Sequence, residues 1–162
     1  NLDGTKNIAN HQLMVECNKV LPVDENGIPI SGPIFAKDLD LDFKTVRTLN
    51  NNGNPIEVDH NFCISYTKQN LRRNAFVTAK NISLELFSTE PGLQVYTGKG
   101  LNSGNEKIWG KYPYREFAGI ALEPQIWPDS PNQSGFPSPY LRPHERYKHH
   151  TRIKFNNSNN EK

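Results

Sequence analysis

Glu123 is a candidate catalytic residue in this sequence because of its position in the chain. It ends an apolar run from Gly119 to Leu122 and stands directly before Pro124. A carboxylate there either faces solvent at the end of a strand or lies inside a cleft, where it can act as a general base. The pattern alone leaves both interpretations open and favours solvent.

A second candidate is the polar triplet Asp59-His60-Asn61, which precedes the apolar residue Phe62. Such a triplet can be a cluster of active-site residues. It can equally be a turn, because Asp and Asn side chains bond their own backbone there. Taken by itself, the triplet favours the turn.

The remaining histidines do not predict a metal site. His149 and His150 are adjacent and would point to opposite faces of a strand. His144 comes with no third ligand at a spacing typical of zinc. We therefore expect no metal site.

Composition narrows the class of protein. The chain has 162 residues, enough for one domain with a core, and its net charge of +2 is too small to predict nucleic-acid binding. The one dense basic stretch, Leu71-Arg72-Arg73, is interpreted as a solvated turn. No apolar run reaches the length of a membrane span. Cys17 and Cys63 are too few for a disulfide framework and fit a reducing compartment, so a cytoplasmic location is expected.

The elements that must position these residues are short strands. Apolar and polar residues alternate in many segments, and turns rich in Gly, Pro and Asn separate them. The pattern predicts an all-β, antiparallel β-sandwich, with at most one helical turn between Asp38 and Phe43. The predicted strands are Gln12–Cys17, Phe62–Tyr66, Ala75–Lys80, Ile82–Phe87, Leu93–Thr97, Ala118–Glu123 and Lys148–Phe155, with a hairpin turn at Lys80-Asn81.

Two segments near the C-terminus have different expectations. The segment from Trp127 to Pro143 contains five prolines but also Phe136 and Tyr140. Aromatic residues are rare in disordered linkers, so we predict an ordered, irregular loop. The polar tail from Asn156 to Lys162 is predicted to be frayed.

Five stretches, in order along the chain, resemble signatures of the galactose mutarotases, the aldose 1-epimerase family. The resemblance covers nearly the whole sequence and implies the large antiparallel sandwich of that family, its supersandwich. The matching stretches are LPVD with GIP (residues 21–29), DHNF (59–62), EPGLQVYTG (90–98), GIALEPQ with WPDSPNQ (119–133), and FPS with LRPHERY (136–147).

The resemblance also implies roles for single residues. Glu123 stands at the position of the catalytic base, and Asp59 and Gln94 match residues that hold sugar hydroxyls. The implied reaction interconverts the α and β anomers of a free aldose, such as galactose or glucose, by acid and base catalysis, and it needs no metal or redox cofactor. The implied partner is a small sugar, with no nucleic acid and no membrane.

Several features depart from the family pattern. The family uses two further histidines, and none of the five here matches them; Asn1-Leu2 resembles the end of its "NHSYFNL" motif. We therefore expect residues 1–162 to be the C-terminal portion of a single domain, with the N-terminal remainder as a partner. Alone, this portion is expected to be inactive and poorly soluble. His144 replaces a usual Gly at a turn where a positive φ is expected.

Other functions stay open at this point. Glycoside hydrolysis needs two carboxylates, and Asp59 could serve as the second beside Glu123. A non-catalytic carbohydrate-binding sandwich would share the fold without the reaction. A sugar-phosphate epimerase relative would need basic residues at the pocket, and the sequence does not place any there.

Overall fold

A computed structural model, which describes residues 1–106 and 113–158, contains two antiparallel sheets of five strands each. Two 3₁₀ helices, Ala36–Leu39 and Ser130–Asn132, lie between strands. The strands are β1 (Gln12–Val15), β2 (Lys19–Val20), β3 (Ile34–Phe35), β4 (Arg47–Thr48), β5 (Asn50–Asn51), β6 (Asn54–Pro55), β7 (Asp59–Cys63), β8 (Arg72–Ala79), β9 (Ile82–Ser88), β10 (Gly92–Tyr96), β11 (Ala121–Gln125) and β12 (Thr151–Asn157).

The two sheets pack face to face around one apolar core. The first sheet has the order β12-β9-β8-β1-β4 and the second β11-β10-β7-β2-β3, while β5 and β6 form a separate hairpin. Leu13 and Val77 of the first sheet belong to the same buried cluster as Phe62, Leu93 and Val95 of the second. This arrangement confirms the predicted all-β, antiparallel sandwich.

Local patterns located most of the strands correctly. The hairpin predicted at Lys80-Asn81 joins β8 to β9, and Lys80 adopts a positive φ of 53° in its turn. In β9, Leu86 is buried in the core, whereas Glu85 on the opposite face pairs with Arg73 and Lys154. The predicted positive φ at His144 is also present, at 72°.

The interpretation of Leu71-Arg72-Arg73 as a solvated turn is wrong. Strand β8 begins at Arg72, and the Arg73 guanidinium forms ion pairs with Glu16 at 2.8 Å and Glu85 at 3.3 Å. Glu85 lies in β9 and Glu16 directly follows β1, so the arginine has partners that its own segment does not contain.

Two other boundaries differ from the sequence prediction. The tail was expected to fray from Asn156, but Asn156 and Asn157 pair with β9, and the Ser158 N–H donates to the Asn81 carbonyl. Residues 159–162 lie outside the described residues. The helical turn expected between Asp38 and Phe43 occurs slightly earlier, at Ala36–Leu39.

A pair of phenylalanines tests the position of the core. Phe62 in β7 is fully buried, whereas Phe155 in the edge strand β12 is 63% exposed. Phe62→Ala should lower the free energy of unfolding by about 3–5 kcal/mol, because it removes a buried ring and leaves a cavity. Phe155→Ala should change it by about 0.5 kcal/mol at most. Urea unfolding measures the free energy of unfolding of both variants, and equal losses would contradict the described packing.

Candidate functional site

Three neighbouring strands of the second sheet build the candidate site. Gln94 in β10 lies directly opposite Asn61 in β7 on one side and Glu123 in β11 on the other. Alternate residues of a strand point to the same face. Asp59 in β7 and Gln125 in β11 therefore share that face with the row formed by Asn61, Gln94 and Glu123.

The opposite face of the same strands belongs to the core. Phe62, Leu93 and Val95 are fully buried there, at positions that alternate with the polar residues. Burial of this apolar face stabilises the sandwich, and the alternation of the strands then turns the polar side chains outward. The triplet Asp59-His60-Asn61 is thus part of a strand, and its interpretation as a turn is wrong.

The polar face forms the wall of a cavity of about 360 Å³. All three residues singled out from the sequence, Glu123, Asp59 and Gln94, contribute to its lining. The sequence analysis named Asn61 only as part of the triplet Asp59-His60-Asn61, and it did not select Tyr96 or Gln125. Each of the three lies two positions from a selected site residue on the same strand. The full lining is Leu21, Val23, Gly27, Pro29, Asp59, Asn61, Gln94, Tyr96, Glu123, Gln125 and Pro128.

Hydrogen bonding orients the side chain of Gln94. Its Nε2 donates to Asp59 Oδ1 at 2.7 Å, which leaves its Oε1 as a buried acceptor without a donor in the described residues. Asp59 thereby fixes which end of the Gln94 amide remains available. This oxygen can accept a hydrogen bond from a ligand hydroxyl group.

Glu123 differs from the other acidic residues that the sheets hold in place. Its carboxylate has no hydrogen bond or ion pair within residues 1–106 and 113–158, whereas Glu16, Glu85 and Glu90 each pair with a cation. It is the middle residue of β11, an edge strand, and its side chain is exposed toward the cavity. Glu123 is therefore a solvent-accessible carboxylate inside a cleft, free to take up a proton.

No histidine belongs to the described lining of this cavity. His60 lies between Asp59 and Asn61 on β7, so its side chain is on the opposite face, and burial lowers its pKa. His11 is fully buried, and its Nε2 accepts a hydrogen bond from the Leu2 N–H at 2.8 Å. Neither ring can donate a proton to a ligand in the cavity from these positions.

The charge of the cavity is one-sided. Asp59 and Glu123 are its acidic residues, and no Lys or Arg lines it in the part of the chain that the structure describes. Nor do three His, Cys, Asp or Glu side chains come together there as a potential metal site. The lining favours a neutral ligand with many hydrogen-bond donors.

An aromatic anchor supports the cavity from the side. Trp127 is 1% exposed, its Nε1 donates to the Pro91 carbonyl at 3.0 Å, and its ring contacts Tyr66 and Phe136. It is a buried anchor of the loop and is not among the lining residues. This end of the loop is thus ordered by packing of its own aromatic residues.

Gly92 in β10 is required for this packing. An added Cβ would lie 2.5 Å from Asn61 Oδ1 and 2.9 Å from Trp127 Cδ1. Both distances are too short for any side chain to occupy this position without displacing its neighbours.

The family model described as aldose 1-epimerase matches residues 1–154. The chain belongs to the aldose 1-epimerase family. Galactose mutarotase of Homo sapiens is 37% identical over 166 residues, which cover 96% of this chain and 47% of that protein. The aldose 1-epimerase of Escherichia coli strain K12 is 32% identical over 167 residues, with coverage of 96% and 48%.

A solved structure shows the same fold. The GalM/aldose epimerase homologue from C. elegans superimposes with a TM-score of 0.84 and 24% identity, covering 97% of this chain and 49% of that one. The present chain thus spans about half the length of the curated relatives it matches. In this member of the aldose 1-epimerase family, β7, β10 and β11 contribute most of the polar residues that line the cavity.

A glycine substitution tests the fit between Gly92, Asn61 and Trp127. Gly92→Ala should destabilise the protein by about 1–3 kcal/mol, because the new methyl group overpacks a filled space. Gly32→Ala is the control: an added Cβ there meets no atom within 4 Å, so we expect a change of about 0.5 kcal/mol at most. Urea unfolding compares the two variants, and a neutral Gly92→Ala would show that the neighbours yield freely.

Proposed function

We propose that this chain carries the base side of an aldose 1-epimerase site, which interconverts the α and β anomers of a free aldose such as galactose or glucose. The observation that carries the proposal is Glu123. It is a carboxylate in a cleft with no partner among the described residues, in register with the amides of Gln94 and Asn61, in a chain of the aldose 1-epimerase family.

The reaction requires one base and one acid. Glu123 accepts the proton of the anomeric hydroxyl while the ring oxygen gains a proton, and the C1–O5 bond breaks to give the open-chain aldehyde. Rotation about C1–C2 exposes the other face of the carbonyl. Attack by the C5 hydroxyl, with the proton transfers reversed, gives the other anomer. Positioned acids and bases contribute about 10²–10⁴-fold each.

Asp59 and Gln94 hold the sugar in this proposal. Gln94 Oε1 accepts a hydrogen bond from a sugar hydroxyl, and Asp59 keeps the Gln94 amide in the orientation that makes this possible. The other carboxylate oxygen of Asp59, Oδ2, is an acceptor for a second hydroxyl.

The acid is proposed to come from the N-terminal remainder of the same domain. The described lining contains no histidine, and the chain corresponds to about half of its curated relatives. Residues 1–162 are accordingly proposed to be the C-terminal portion of one domain, whose other portion faces Glu123 across the sugar ring.

The lining also separates the alternatives. A sugar-phosphate epimerase would need cations at the cavity, and the described lining has none. A glycoside hydrolase would need a second free carboxylate, but Asp59 accepts a hydrogen bond from Gln94. A binding module would not require an unpaired carboxylate beside the ligand, because an ionised group can be replaced there by neutral acceptors.

The cellular setting is proposed to be the cytoplasm. Cys17 and Cys63 are both free, buried thiols, which suits a reducing compartment. Among the described helices, none has the length and apolarity needed to cross a bilayer.

A single substitution tests the role of Glu123. In the protein that carries this chain, Glu123→Gln should reduce the catalysed mutarotation of fresh α-galactose by about 10²-fold or more, because an amide cannot accept the proton. Optical rotation against time gives the rate. Glu116→Gln is the control, since Glu116 is exposed, lies outside the described lining and pairs with Lys99. If the Glu123→Gln variant retains more than about a tenth of the wild-type rate, Glu123 is not the general base.

The division of the site is tested with residues 1–162 alone. We expect this fragment to show no mutarotase activity and to aggregate, because the acid is absent and β12, β4, β11 and β3 leave sheet edges open to other chains. The measurements are solubility, size-exclusion chromatography and optical rotation. A soluble monomer with the activity of the longer protein would show that one of the five histidines here supplies the acid.

A further inference from the structure

Asn61 is a polar residue of the cavity lining to which the proposed reaction assigns no contact with the sugar. Asn61 is 2% exposed and yet lines the cavity. Its Oδ1 has no hydrogen-bond donor in the described residues, and its Nδ2 has only a weak contact, 3.8 Å from Cys63 Sγ. Buried amides are nearly always hydrogen-bonded in native structures, so an unpaired one in a ligand cavity indicates a missing donor.

The register places Asn61 at a defined distance from the base. Asn61, Gln94 and Glu123 form one row across three adjacent strands. Neighbouring strands are about 4.8 Å apart, so Asn61 lies roughly 10 Å from Glu123 at the backbone, with Gln94 midway. A pyranose ring lying along this row, with its anomeric hydroxyl at Glu123, directs the hydroxyls of its opposite end toward Asn61.

We propose, building on the function above, that Asn61 is a specificity-determining residue that accepts a hydrogen bond from the hydroxyl on C3 or C4 of the sugar. Galactose and glucose differ only in the configuration of C4, so a contact at this end of the ring bears directly on which aldose is preferred. The Asn61 oxygen lies close to the Gly92 backbone, since a Cβ added at Gly92 would come within 2.5 Å of it. The missing side chain at Gly92 therefore leaves the space that this orientation of the amide needs.

A purely structural role for Asn61 makes a different prediction. If the amide only fills the space beside Gly92 and Trp127, its loss should affect every sugar equally. If it binds a hydroxyl, the loss should be confined to sugars that carry this hydroxyl, because a site built to bond a substrate hydroxyl rejects the analogue that lacks it.

The experiment pairs truncation of the protein with truncation of the sugar. In the protein that carries this chain, wild type and Asn61→Ala are assayed with galactose and with its 2-, 3- and 4-deoxy analogues. Wild type should lose about tenfold in kcat/KM on the 3- or 4-deoxy sugar, mainly through KM. Asn61→Ala should show the same loss on galactose itself and less than about a twofold further loss on that deoxy sugar.

Two controls make the result decisive. Asn61→Asp keeps an acceptor oxygen in nearly the same shape and should restore discrimination against the deoxy sugar. The penalty on the 2-deoxy sugar should be the same in wild type and Asn61→Ala, because the C2 hydroxyl is adjacent to the anomeric centre at Glu123. Undiminished 3- and 4-deoxy penalties in Asn61→Ala would overturn the role of Asn61. If Glu123→Gln is inactive in the same assay, the proposed function survives that outcome.

Discussion

The register of β7, β10 and β11 is the constraint on which both the core and the cavity depend. One set of alternating positions places Phe62, Leu93 and Val95 in the core, and the other set places Gln94 and Glu123 at the cavity. A shift of one residue in either pairing would exchange the two sets, burying carboxylates and exposing the apolar residues. Formation of the core therefore aligns the site, and no separate interaction has to bring the base and the binding amides together.

Alignment leaves some polar groups in the site unpaired. The oxygens of Asn61 and Gln94 are buried acceptors with no donor among residues 1–106 and 113–158, and each costs about 1–3 kcal/mol relative to a paired group. The fully buried core residues behind them, together with the Trp127 anchor, offset this cost. An unpaired acceptor held in a fixed orientation binds a ligand hydroxyl with little reorganisation, so local instability and binding capacity have the same origin.

The site is also one-sided in its chemistry. In the proposed reaction Glu123 takes a proton from the anomeric hydroxyl, and the ring oxygen must gain one. The described lining of the cavity contains no histidine that could supply it. His60 illustrates why a suitable residue type is not enough, since it belongs to the same strand as Asp59 and alternates to the other face. A second wall that faces β7, β10 and β11 completes the arrangement in the proposed enzyme.

The sequence by itself determined the fold class, most strands and the β8–β9 hairpin, because alternation and turn residues act over a few neighbouring positions. Family resemblance added Glu123, Asp59 and Gln94. Tertiary structure alone decided that these residues share one cavity with Asn61, that Arg73 is an ion-paired strand residue, and that Asn156 and Asn157 extend a strand. Each of these depends on pairing between segments far apart in the chain, and local sequence carries no information on which distant residue will stand opposite.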